Sequence, residues 1–318
     1  MSRRAGAGLL LLAAGIALLA WQIRDKGAAD ILSGFRSVGW WFGLILLLSL
    51  LRFLARTRAW LTFIDAPVPT SPALVATIAG DAIGNVTPLG LLASEPAKAL
   101  YLSRFVAPAR ALAALTAENF FYTISIAIYI VAGTASMLEF FALPDTVRIA
   151  AWAAVAAMGV ALAGAAWMAW QQPMIASTIA ARIPIAKFKT MIDRIREFEL
   201  QAYGSVGGHG RPVLTVVSWH VFFHVLSFVE AWLTLWLLTG QGLPLAALVL
   251  DTFQRVSNIV FKMVPLQLGF AQVGSEIVGI AIGLPAAVGL KMSLVKTARV
   301  IVWAIVGLAS GAASATRK

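Results

Sequence analysis

The chain has 318 residues, 60% of them apolar and only 12% charged, with a mean hydropathy of +0.86. So few charges cannot cover the surface of a water-soluble fold, which excludes an ordinary soluble enzyme, a coiled coil and a disordered chain and leaves a polytopic helical membrane protein. The formal charge of +11 then speaks of topology and anionic lipid rather than nucleic acid, and the lack of cysteine excludes disulfides, thiolate catalysis and cysteine-bound metal.

Leu9 to Trp21 is apolar and follows Arg3 and Arg4. It reads as a retained first span rather than a signal peptide, because no clear cleavage site precedes Arg24-Asp25-Lys26. The second span is expected from Val38 to Phe53, ending among Arg52, Arg56 and Arg58. Ala73 to Leu92 contains Asp81, Asn85, Pro88 and Gly90, and is followed by Glu95 and Lys98. A plain lipid-facing helix does not carry that set, and two half-helices meeting at a break covered by protein or water would explain it. Ala111 to Gly133 reads as a full span with an interfacial Glu118-Asn119, and Ile149 to Trp170 as an alanine-rich span suited to close packing.

Between Ile175 and Ala202 the character changes. Pro184 starts or breaks a helix, and Phe188, Met191, Ile192 and Ile195 share one face among Lys187, Lys189, Arg194 and Arg196. Such a helix lies on the cytoplasmic membrane surface or packs on the protein's own loops. Tyr203 to Pro212 is a Gly-rich linker dividing the chain into membrane halves 1–202 and 203–318, which together form one transmembrane domain. The second half opens with Val213 to Leu238, carrying His220, His224 and Glu230. Leu243 to Pro265 holds Asp251, Gln254, Arg255, Asn258 and Lys262. Ile277 to Leu284 follows Gly269, Gly274 and Glu276, and the last span, Ala286 to Ala312, includes Lys291, Lys296 and Arg299.

Positive charge marks the cytoplasmic side. With the termini and the 52–58, 98–110 and 182–211 regions facing inward, 16 of the 25 basic residues are cytoplasmic. The expected fold is all-α, with about six full spans and two broken or re-entrant units, the second inserted the other way up. The strings Asn85-Val86-Thr87-Pro88-Leu89-Gly90 before Glu95 and Val264-Pro265-Leu266-Gln267-Leu268-Gly269 before Glu276 support an inverted repeat, the architecture of many transporters. Chance sharing of Pro and Gly is the alternative, since both are common in membrane helices.

The strings GDAIGNVTPLGLLASEPAKALYL, from Gly80 to Leu102, and MVPLQLGFAQVGSE, from Met263 to Glu276, resemble the flippase-like membrane domain of lysylphosphatidylglycerol synthases and their stand-alone relatives, most closely the branch associated with hopanoid gene clusters. Asn85, Pro88, Gly90, Glu95, Pro96 and Lys98 carry the pattern, and the resemblance covers nearly the whole chain. It implies movement of a charged or large-headed lipid between leaflets, in a bacterial inner membrane where the charge pattern places both termini on the cytoplasmic side. The soluble aminoacyl-transfer domain of the bifunctional relatives has no counterpart among these segments, so synthase activity does not carry over.

Charged side chains at bilayer depth face a cavity, a partner or the surface. Glu95 and Lys98 share a helical face: Lys98 would contact a lipid phosphate while Glu95 orients it or binds an amine, or the two form a pair just outside the membrane. Asp81 and Asn85 line the other arm or cap the break. Asp251 and Arg255 fit an internal ion pair, with Arg255 also a site candidate; Lys262 reaches a headgroup or snorkels. Gln267 and Gln272 supply neutral hydrogen bonds to a headgroup or satisfy the backbone, and Glu276 is a site candidate by its parallel with Glu95. Lys296 and Arg299 make an anion site if they face inward, or pair with Glu276 or Glu118. His220 and His224 have metal-pair spacing without the zincin glutamate, so no metal is expected, and no P-loop or other cofactor motif is present.

Three functions compete. A lipid flippase or transporter would move an anionic or large-headed lipid, whether phospholipid, polyprenyl-phosphate-linked or hopanoid-related, with Glu95 and Glu276 as the carboxylates that couple movement to an ion or the membrane potential. An intramembrane transferase would need a general base and a donor pocket, which no string demands. A non-catalytic partner would recruit lipid-synthesis enzymes through the basic 187–196 face. Membrane lipids are the expected partners in every case.

Overall fold

The computed structural model describes residues 28–87, 90–172, 211–262 and 264–315, with isolated positions elsewhere. The expected first span, the surface helix of 175–202, the 203–210 part of the linker, and Pro88 and Met263 fall wholly or largely outside them. Every regular element among the described residues is helical. They run as α1 (Ala28–Val38), α2 (Phe42–Thr62), α3 (Thr70–Val86), α4 (Gly90–Tyr101), α5 (Pro108–Phe140), α6 (Asp145–Gln171), α7 (Arg211–Thr239), α8 (Pro244–Val260), α9 (Phe270–Ala281) and α10 (Val288–Ala315). Among the described residues, five helical stretches, Leu32–Thr62, Pro108–Phe140, Asp145–Gln171, Pro212–Thr239 and Val288–Gly311, are long and apolar enough to cross a membrane.

The helix ends follow local chemistry. Thr87 leaves α3 in an extended conformation, as a residue preceding proline must, because the ring crowds its helical geometry. Pro108 and Pro244 open α5 and α8, where a missing N–H costs nothing. The second expected span proves longer than its hydropathy suggests. α2 runs on to Thr62, so Arg52 and Arg56 sit within the helix and not on a cytoplasmic rim. Their guanidiniums pair with buried carboxylates, which is what lets the helix continue through them.

The four-helix series α2–α5 and α7–α10 repeat one plan: long helix, 17-residue helix, 12-residue helix, long helix. Shifting Thr70–Val86 by 174 positions places both its ends on Pro244–Val260. The packing repeats too. α3 lies against α10 and α8 against α5; α2 contacts α3 as α7 contacts α8. The same shift of 174 takes Gly133 of α5 onto Gly307 of α10, and each is a close-approach glycine. Gly133 meets Thr252 of α8, while a Cβ on Gly307 would lie 2.6 Å from the Ile78 carbonyl of α3, the position equivalent to Thr252.

Within each series the two short helices form a hairpin. Lys98 of α4 packs across Gly80 of α3, and Phe253 of α8 packs on Gly274 of α9. A hairpin returns the chain to the end it came from, so each series is a long helix, a re-entering pair and a long helix going back. The two series are inverted. Trp41, at the N-cap of α2, meets Trp236 of α7, while Arg52 meets Phe223, so α2 and α7 run antiparallel along their contact.

Two apolar clusters close the bases of the hairpins. One gathers Trp60, Ala73, Ala76, Leu102 and Ala114; the other gathers Leu235, Ala247, Leu250, Ile282 and Val288. Ala73 and Ala247, Ala76 and Leu250, and Ala114 and Val288 are equivalent pairs under the same shift. Because α2 and α7 are antiparallel, the clusters lie at opposite ends of the molecule, and the polar middle falls between them. α6 joins the repeats from outside, burying only Ala151 and presenting Trp152, Val160 and Trp170.

Candidate functional site

Between the repeats lies a cavity of about 890 Å³, walled by residues of α2, α3, α4, α5, α7, α8 and α10, with Met158 and Ala161 of α6 and Ala271 of α9. Its size falls within the usual range for small-ligand sites. Asp81, Asn85, Glu95 and Lys98 line it from the first hairpin. Arg255, Lys262 and Gln267 line it from the second, and Lys296 and Arg299 from the last helix. Gln272 and Glu276 stand off this wall. Gln272 is fully buried and donates to Thr297 Oγ1 at 2.9 Å. The Glu276 carboxylate accepts from the backbone N–H groups of Ala287 at 2.6 Å and Leu290 at 3.2 Å, holding the start of the last helix.

One polar network crosses the first repeat. Lys98 Nζ lies 2.9 Å from Asp81 and 3.2 Å from Glu95, so it ties the two arms of the hairpin together. Its stem needs the space over Gly80, where any Cβ would collide with it. Glu95 also accepts from Asn119, whose side-chain oxygen accepts in turn from Arg56. Arg56 donates to both oxygens of Glu118, at 3.0 and 2.8 Å, and lies over the Tyr122 ring at 3.9 Å. Glu118 is 1% exposed, so it is a buried counter-ion and not the interfacial charge its place near a helix start suggests.

Two further clusters face the cavity from the second repeat. Asp251 holds Arg255 at 3.0 Å and accepts from Ser227, with the guanidinium 4.0 Å over Tyr129. Glu230 accepts from Arg299 at 2.5 and 2.6 Å and from Arg52 of the first repeat at 2.8 Å. Arg299 is therefore paired with Glu230, and with neither Glu276 nor Glu118. His220 and His224 sit between α5 and α7: His220 Nε2 is 3.8 Å from Glu118, and His224 Nε2 is 3.0 Å from Ser125 Oγ. Among the described residues no set of three His, Asp or Glu is arranged to hold a metal.

The second break is strained where it meets the cavity. Leu266 and Gln267 both have positive φ, 54° and 51°, before Gly269 at 81°. Non-glycine residues in this region cost on the order of 1–2 kcal/mol each and persist only where surroundings impose them. Both face the cavity.

Arg52, Arg56, Asn119 and Glu230 are wall residues that the motif reading passed over, as it did Glu118 behind Arg56. The signal was there. Each is a polar or charged residue inside a long apolar helix, with Arg52 and Arg56 one turn apart on the same face.

No curated protein and no solved structure matches the chain. A family model does, over residues 7–311: the lysylphosphatidylglycerol synthase transmembrane region. With nearly all of the chain matched, together with an all-helical membrane fold, the protein belongs to that family.

Proposed function

We propose that the protein is a lipid transporter, which moves an anionic or large-headed lipid between leaflets with its headgroup in the cavity and its tail in the bilayer. The observation that carries this reading is the cavity itself. Seven basic side chains, Arg52, Arg56, Lys98, Arg255, Lys262, Lys296 and Arg299, line it with only four acidic ones, Asp81, Glu95, Glu230 and Asp251. Placing so many charges at the middle of an apolar chain is costly, and a passage for a charged group explains why they are there. Each of the four carboxylates has a basic partner within ion-pair distance, so none is set up as a general base. That favours carriage over chemistry.

The inverted repeats supply the motion. Rocking one against the other around a central site would expose the headgroup to each leaflet in turn. The substrate class extends from phospholipids to polyprenyl-phosphate-linked and hopanoid-related lipids, the last in keeping with the hopanoid-associated branch. We place the protein in a bacterial inner membrane with both termini cytoplasmic, where lipid-synthesis enzymes are candidate partners. The test is reconstitution into liposomes carrying a headgroup-labelled phosphatidylglycerol, with an impermeant quencher added outside. Protein-containing vesicles should lose more signal than the outer leaflet alone accounts for. Quenching equal to that of empty vesicles would reject transport of that lipid.

A further inference from the structure

The charges around Lys296 do not balance. Lys296 shares the cavity wall with Asp251, Arg299, Arg52 and Arg255. Adding Glu230, which bridges Arg52 and Arg299, gives four cations against two carboxylates, a surplus of two positive charges in the membrane interior. Lys296 itself has no carboxylate within ion-pair distance among the described residues, whereas Asp251 lies 3.0 Å from Arg255. The Nε groups of both Arg52 and Arg299 are buried without a hydrogen-bond partner among those residues. Unmet donors and surplus positive charge in a low-dielectric setting call for an anion.

The arrangement also says which contact yields. Arg299 places one nitrogen on both oxygens of Glu230 and its side chain is 7% exposed. Arg52 makes a single contact with Glu230, and its side chain is 18% exposed. Arg52 belongs to the first repeat; Glu230 and Arg299 belong to the second. Arg52–Glu230 is an ion pair that joins the repeats, whereas Arg56–Glu118, Lys98–Asp81, Lys98–Glu95, Arg255–Asp251 and Arg299–Glu230 each lie within one repeat.

We infer that Arg52, Lys296 and Arg299 form a seat for a phosphate anion, and that Glu230 is a built-in competitor that holds Arg52 until the phosphate takes it. Lys296 captures the anion, and the anion draws Arg52 off Glu230. Loading thereby removes an ion pair that ties the two repeats. The seat rests on the transport reading only for the claim that a lipid supplies the phosphate.

The test uses the purified full chain in dodecyl maltoside, titrated calorimetrically with inorganic phosphate, with dihexanoyl phosphatidic acid and with uncharged dihexanoylglycerol. Wild type should bind a phosphate-bearing probe and not the neutral one. Lys296→Gln should weaken that binding about tenfold, the loss of one charge-assisted hydrogen bond, and Lys296→Arg should restore it. Glu230→Gln should tighten it severalfold. Binding of inorganic phosphate alone would support the seat and detach it from lipid. No binding by wild type, or wild-type affinity in Lys296→Gln, would overturn the proposal, as would Glu230→Gln binding no more tightly. Should Glu230→Gln fold poorly, Lys296→Gln, which breaks no ion pair, carries the test. Vesicles that move no lipid alongside Lys296-dependent binding would end the transport reading and leave the seat standing. Transport with no such binding would do the reverse.

Discussion

The two hairpins share a backbone plan and differ in what their glutamates do. Glu95 of the first stands on the cavity wall, sharing Lys98 with Asp81 and accepting from Asn119. Glu276 of the second spends both oxygens on backbone N–H groups at the start of α10. The same divergence runs through the long helices. Arg56 of α2 and Glu230 of α7 are equivalent under the 174-residue shift, and each pairs with the last helix of its own repeat, through Glu118 and Arg299 respectively, with the charges exchanged. Inversion conserves packing, because backbone approach fixes it. It leaves chemistry free, because the helices pack alike whichever polar side chains they turn to the cavity.

That contrast can be broken experimentally, and the ion pairs offer the largest effect. Glu118→Ala strands a buried guanidinium, and thermal unfolding in detergent should show a loss of about 3–5 kcal/mol. Replacing both partners, Arg56→Met with Glu118→Met, should recover most of it. Glu230→Ala should behave alike in the second repeat. A cost near zero at either site would mean the pair is not the interior clamp that its geometry describes.

The close-approach glycines test the equivalence of packing. Gly133→Val and Gly307→Val should each cost about 1–3 kcal/mol, since both drive a side chain into the facing short helix. Similar losses are expected in the two variants. Tolerance of one and collapse of the other would show that the repeats do not pack alike.

The smallest effect separates the two glutamates most sharply. Glu276→Gln should lower stability by about 1 kcal/mol, the scale of a helix cap, while transport per folded molecule stays at the wild-type level. Glu95→Gln should reduce lipid movement with little change in melting temperature. Quenching assays run beside melting curves would read both, and the opposite pattern would reverse the roles assigned here.

Much of this was legible in the sequence. Hydropathy located the long helices, and the Gly/Pro strings located both breaks, because a helix cannot pass Pro88 or the run from Val264 to Gly269 unaltered. Nine of the eleven candidate side chains reach the cavity wall. The remainder needed three dimensions. Glu276 looked like Glu95 because both follow a broken helix, and spacing alone cannot tell a wall from a cap. Arg52 and Arg56 have the sequence pattern of a rim, because positive charge at the end of an apolar run usually marks one. Only their partners, Glu230 and Glu118, distant in sequence, show that the helix continues through them.

The central claim is that the repeats move against each other around the cavity, and a reversible tether tests it most directly. A Cβ on Gly311 would lie 3.6 Å from that of Ala79, within the separation a disulfide spans. The chain has no cysteine of its own, so Ala79→Cys with Gly311→Cys adds a single pair joining the first hairpin to the last helix. Oxidation should stop lipid movement in liposomes and reduction should restore it. Undiminished movement in fully cross-linked protein would contradict the account.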